Sequence, residues 1–116
     1  MPDEPAESRL TLDIERDGTT AVVRLTGQLV TGVTEFLYTE VSTLMPSSKR
    51  IVLDLTDLAH MDSTGLGTLV RLYVSAKSAG CALELVNLGK RIRQLLGVTH
   101  LLSVFTVIGE SGSRIP

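Results

Sequence analysis

Tryptophan is absent, and aromatic residues (Phe36, Tyr38, Tyr73 and Phe105) make up only 3% of the 116-residue chain. The core must therefore be aliphatic, and there is little on which single-stranded bases could stack. Cysteine is almost absent too. Cys81 stands alone, so it cannot close an intrachain disulfide, and without a C-x-x-C or a His/Cys cluster no zinc site is expected. It reads as a small buried residue at the start of a strand. Positive charge is not in excess, since 11 Lys and Arg against 13 Asp and Glu leave a formal charge of -2. Such a surface offers no general attraction to nucleic acid or anionic lipid, so no nucleic-acid partner is expected. No apolar run approaches the length of a membrane span, so no membrane insertion is expected either. Residues 1–8, acidic and proline-bearing, lack the basic start and apolar stretch of a signal peptide. A cytoplasmic location follows as the expectation.

What is present is the composition of one ordinary folded domain, 43% hydrophobic and 21% charged. The reading is a flexible tail over 1–8, one domain over 9–108 and a second flexible tail over 109–116. Residues 9–15 alternate apolar Leu10, Leu12 and Ile14 with polar neighbours, the period of a half-buried strand. Asp17-Gly18 turns the chain, and the β-branched run 20–26 ends at Gly27, which together predict an antiparallel edge hairpin. Val33, Leu37, Val41 and Leu44 predict a helix over 31–45, stopped by Pro46. Residues 51–55 are nearly continuously apolar and predict a central strand covered on both faces. A longer helix follows over 63–79, with Leu66, Leu69, Val70, Tyr73 and Ala76 on its buried stripe and Thr68 off it. A strand over 82–86, a short helix over 90–96 closing at Gly97 and a last strand over 104–108 complete the order β-β-α-β-α-β-α-β. This predicts an α/β domain with a mixed sheet of about five strands, mainly parallel, with an antiparallel N-terminal edge hairpin and helices covering the sheet.

Chemistry concentrates in residues 52–70, where a loop rich in capping residues is expected to join the central strand to the longer helix. Asp62, Ser63 and Thr64 crowd the helix start, where unpaired N–H groups and the positive end of the dipole favour oxygen and negative charge. Capping alone accounts for one such residue. Gly65 and Gly67 ask for more, because each costs about 1 kcal/mol relative to Ala inside a helix. Either another backbone packs closely there or a bare first turn is presented to a partner. A phosphoryl group on Ser63 would bring a charge of about -1.5 to -2 to a helix N-terminus, changing the surface without melting the helix.

The segment from Leu53 to Gly67, with M-D-S-T-G-L-G at its heart, resembles the signature of the STAS domain family, and specifically the bacterial anti-sigma factor antagonists. The likeness extends from about Arg9 to Ile108 and includes G-x-L at Gly27 to Leu29 and the stretch L-V-N-L-G-K-R-I-R-Q-L-L-G-V. It implies that Ser63 is phosphorylated by an anti-sigma factor that is also an ATP-dependent serine kinase. It also implies that the unphosphorylated chain captures that partner, so regulating transcription, and that a PP2C-type phosphatase resets the switch. Asp62, Ser63, Thr64, Gly65, Leu66 and Gly67 would form the docking surface, with Asp62 orienting the Ser63 hydroxyl. The ATP would belong to the partner, so the chain needs no cofactor and is not expected to be an enzyme. Two positions depart from the pattern. Val30 stands where the family usually places Asp or Asn, and Val33 where a threonine is common. The alternative these leave open is a STAS adaptor subunit of a transport or signalling complex that is never phosphorylated.

Other chemistries fit less well. Residues 27–32 have the glycine spacing of a phosphate-binding loop, but Val33 replaces the lysine. A serine-hydrolase elbow would need glycine where Met61 stands. His60 and His100 read as loop or surface histidines, and Lys90, Arg91 and Arg93 as solvated helix charge.

Overall fold

A computed structural model describes residues 9–98 and, for the backbone alone, 106–108. β1 (Leu10–Asp17) and β2 (Thr20–Leu29) form the edge hairpin, with Asp17 opposite Thr20 across a Gly18-Thr19 turn. The chain continues through α1 (Thr34–Ser42), a 3-10 turn (Met45–Ser47), β3 (Arg50–Met61), α2 (Ser63–Ser78), β4 (Ala82–Val86), α3 (Lys90–Val98) and β5 (Thr106–Ile108). The strands lie in the order β1-β2-β3-β4-β5, antiparallel for the first pair and parallel for the rest. The mixed sheet and element order expected from the sequence are present. The two expected tails, His100, Val104 and Phe105 lie outside the residues described.

Period-two alternation sorts the sheet into two faces. Ala21, Val23 and Leu25 of β2, Ile51, Leu53 and Leu55 of β3, and Leu83 and Leu85 of β4 join one core cluster with Leu37, Val41, Leu69, Leu72, Ala76, Ile92 and Leu96 from the helices. The largest fully buried side chains described are leucines apart from Ile51, as the scarcity of aromatics required. The other face is polar. Val52 is buried yet outside the cluster, and beside it Arg24 pairs with Asp54 at 3.5 Å and Arg50 with Glu84 at 2.7 Å. Burial pushes the Asp54 carboxyl up, but hydrogen bonds from the Thr56 hydroxyl and amide, Asn87 and Arg24 outweigh it and leave the group below its ordinary value. So residues 51–55 are buried on both faces, with polar cover on one.

Four features differ from expectation. The helix expected over 31–45 is shorter, because residues 31–33 form a turn and Pro46 enters the first turn of the 3-10 helix, where no N–H is needed. β3 does not stop at Leu55. β2 continues past Gly27 and pairs Gln28 with His60 and Leu29 with Met61, through register shifts at Arg24/Thr26 and Gly27/Gln28, so residues 56–61 are strand and not loop. On α2, Thr68 is buried and Leu72 fully so, while Val70 and Tyr73 are only partly covered. Thr68 tolerates burial because its hydroxyl donates to the Thr64 carbonyl at 2.9 Å. Finally, α3 runs through Gly97 to Val98.

Candidate functional site

β2 and β3 end together at one edge of the sheet, where Leu29 pairs with Met61 and the Asp62 amide donates to the Leu29 carbonyl at 3.3 Å. A single residue, Asp62, separates β3 from α2. Its extended backbone turns the chain, and its side chain caps the helix by accepting the Gly65 amide on Oδ1 at 3.0 Å. The Thr64 hydroxyl donates to the same oxygen at 2.7 Å. The other oxygen, Oδ2, accepts the Thr31 amide at 3.0 Å and lies 3.2 Å from the Thr31 hydroxyl. That hydroxyl is also 2.8 Å from Thr64 Oγ1. Each hydroxyl has one proton. With the Thr64 proton on Asp62, the Thr31 proton is shared between Thr64 Oγ1 and Asp62 Oδ2, the shorter separation favouring Thr64. The Thr64 hydroxyl first, then the Thr31 and Gly65 amides, hold the Asp62 carboxyl well below the usual carboxylate range.

Ser63, the first residue of α2, is exposed, and among the described residues its Oγ has no hydrogen-bond partner. Asp62 was expected to orient that hydroxyl; instead its carboxylate is turned to Thr31, Thr64 and Gly65. The six residues expected to form a docking surface also divide. Ser63, Thr64 and Gly67 are exposed and Asp62 is half-buried, but Gly65 and Leu66 are buried.

The two glycines of this turn have different causes. A Cβ on Gly65 would run into the Leu29 carbonyl oxygen and crowd the Leu29 and Met61 side chains, whereas one on Gly67 would meet nothing within 4 Å. Close packing explains the first, whereas nothing in the described structure requires glycine at the second. The glycine spacing of residues 27–32 also finds a structural reason, since Gly27 and Gly32 both have positive φ and both are approached by Arg9, the one by its carbonyl and the other by its guanidinium. His60 is a surface histidine, exposed on β3.

Sequence reasoning missed Thr31. Its one local signal was a hydroxyl residue just after Val30 in a turn, and only the pairing of Leu29 with Met61 brings it to Asp62. Val30 itself is half-buried against the core and Val33 fully buried. Among the described residues no group of His, Cys, Asp and Glu side chains gathers as a metal site, and no helix is long and apolar enough to cross a membrane.

The sequence matches the model of the STAS domain over residues 11–112. It is 26% identical over 102 residues to the anti-sigma-B factor antagonist of Bacillus subtilis, covering 88% of this chain and 94% of that protein. Among solved structures it is similar to the Bacillus cell fate determinant SpoIIAA in its phosphorylated form, with 21% identity, a TM-score of 0.69 and coverage of 87% and 94%. It is similar as well to an anti-sigma factor antagonist from Mycobacterium paratuberculosis, with 20% identity, a TM-score of 0.75 and coverage of 84% of each chain. These two structural likenesses bear on the fold.

Proposed function

This chain belongs to the STAS domain family, and on that premise we propose that it is an anti-sigma factor antagonist that works by association and release and not by catalysis. Unphosphorylated, it captures an anti-sigma factor that is also an ATP-dependent serine kinase, and phosphate on Ser63 ends the capture. The name of the Bacillus subtilis relative supports the role, and one observation carries the switch. Ser63 is exposed, and among the described residues its hydroxyl is unengaged, at the positive end of a helix whose cap is already satisfied. A phosphoryl group there adds about -1.5 to -2 charge. The helix dipole accommodates it, so the fold persists. A partner shaped around a neutral hydroxyl meets a bulky dianion instead, next to an Asp62 that is already ionised.

Thr64 and Gly67 extend the contact surface around Ser63. The nucleotide belongs to the kinase, a PP2C-type phosphatase restores the free hydroxyl, and the encounter takes place in the cytoplasm, where the kinase finds ATP. Incubation with the partner kinase and labelled ATP is expected to label the wild-type chain and leave Ser63→Ala unlabelled, with labelled protein no longer retained by the kinase. Label that persists in Ser63→Ala refutes the reading. Val30 favours a second account, an unphosphorylated adaptor subunit of a transport or signalling complex; recovery of a transport ATPase and no kinase from native extract would support it.

A further inference from the structure

We propose that Thr31 is a positioning residue for phosphorylation of Ser63, holding the Asp62–Thr64 pair so that the neighbouring Ser63 hydroxyl stays free for transfer. The inference rests on the reading of Ser63 as the phosphoacceptor. In that transfer Ser63 Oγ attacks the γ-phosphorus of ATP, the new O–P bond forms as the bond to the β–γ bridging oxygen breaks, ADP departs, and the hydroxyl proton passes to a base of the kinase. The attacking oxygen has to be open to both ATP and that base. A carboxylate one residue away is the natural competitor for its proton.

Division of labour on Asp62 shows how the competition is avoided. Oδ1 alone provides the helix cap, through the Gly65 amide at 3.0 Å. Oδ2 contributes nothing to the cap and is held by the Thr31 amide at 3.0 Å and the shared Thr31 hydroxyl at 3.2 Å. Through its 2.8 Å contact with Thr64 the same hydroxyl fixes the residue on the other side of Ser63. Thr31 is exposed, so its side chain does little for the core, which its neighbours Val30 and Val33 serve. The turn that carries it is braced from behind by the Arg9 guanidinium lying against Gly32.

The test uses the full chain and the kinase recovered with it, comparing wild type, Thr31→Val and Thr31→Ser. Thr31→Val keeps the β-branch and the backbone bond but loses the hydroxyl, and is expected to lower kcat for Ser63 phosphorylation about tenfold with KM changed less than about twofold. Thr31→Ser is expected to restore kcat to within about twofold of wild type. In the isolated chain, NMR titration should show the Asp62 carboxyl moving up in Thr31→Val and staying near wild type in Thr31→Ser. An unchanged kcat in Thr31→Val, a loss confined to KM, a Thr31→Ser chain as slow as Thr31→Val, or an Asp62 titration indifferent to the hydroxyl each overturns the proposal. So does a Thr31→Val chain that fails to fold, because the role would then be structural. Failure of the underlying reading is recognisable separately, as a wild-type chain that the kinase does not label at Ser63, and it takes this proposal with it.

Discussion

α1 and α2 leave the same edge of the sheet, after β-strand ends that pair with one another, yet they begin in opposite ways. The N-cap of α1 is Val33, fully buried and making no side-chain cap; its first turn carries Glu35, which pairs with Arg71 of α2 at 2.8 Å. The N-cap of α2 is Asp62, extended in backbone and bonded by its side chain to Thr31 in the turn before α1 and to Thr64 and Gly65 of its own helix, while the start of the helix beyond it has no acidic residue in its first turn and exposes Ser63, Thr64 and Gly67. One helix start is packed and the other presented. Further along, Arg71 links the two helices, lying 4.1 Å from the centre of the Tyr38 ring while the Tyr38 hydroxyl meets Ser75 at 2.8 Å.

The largest break in this contrast should come from Gly65→Ala. The added methyl meets a backbone oxygen of Leu29, which no rotamer change can move, so α2 must shift away from β2. A loss of about 3 kcal/mol is expected from such overpacking, read as a lower midpoint in urea unfolding. That is a large share of the roughly 5–15 kcal/mol by which a domain of this size is stable. An unchanged midpoint would mean that the strand end and the helix are not in contact.

Asp62→Ala should come next, with a loss of about 1–2 kcal/mol from the missing cap. The effect should depend on pH. The folded Asp62 carboxyl titrates below its unfolded value of about 3.9, so its contribution is fully present above roughly pH 4 and disappears as pH falls through the folded value. Stability curves of wild type and Asp62→Ala should thus converge in acid, leaving a residual acid dependence in the variant from Asp54, whose carboxyl is lowered as well. Curves that stay parallel down to about pH 2 would show that the cap does not hold an ionised carboxylate.

Much of this arrangement was legible in the residues. The apolar run at 51–55, the edge hairpin and the start of the longer helix at Ser63 all follow from hydrophobic period and capping chemistry, because those signals are local. The extension of β3 through Thr56, Asp57, Ala59 and His60 was not, since these residues are exposed and two register shifts break the alternation; only the partner strand β2 keeps them extended. Thr31 escaped for the same reason, as its significance lies in contacts across 31 and 33 residues of sequence. Thr68 was placed off the buried stripe and Leu72 left out of it because α2 is covered by both the sheet and α1, which widens that stripe beyond the one that spacing alone suggests.

Gly67→Ala should have the smallest effect and the opposite sign. Space is open around Gly67, and replacing glycine by alanine inside a helix is worth about 0.5–1 kcal/mol in stability, so the unfolding midpoint should rise. Two residues apart on one turn, the same substitution then lowers stability at a packed position and raises it at a presented one. Partner capture gives the pair its functional meaning. If a kinase surface closes on the bare first turn, the more stable Gly67→Ala chain should bind it more weakly, about tenfold for a methyl that obstructs a close fit, because overpacking at an interface costs as much as it does in a core. Higher stability with undiminished capture would instead place the docking surface off this turn, leaving Ser63 accessible but not central, and the contrast between the two helix starts would then concern folding alone.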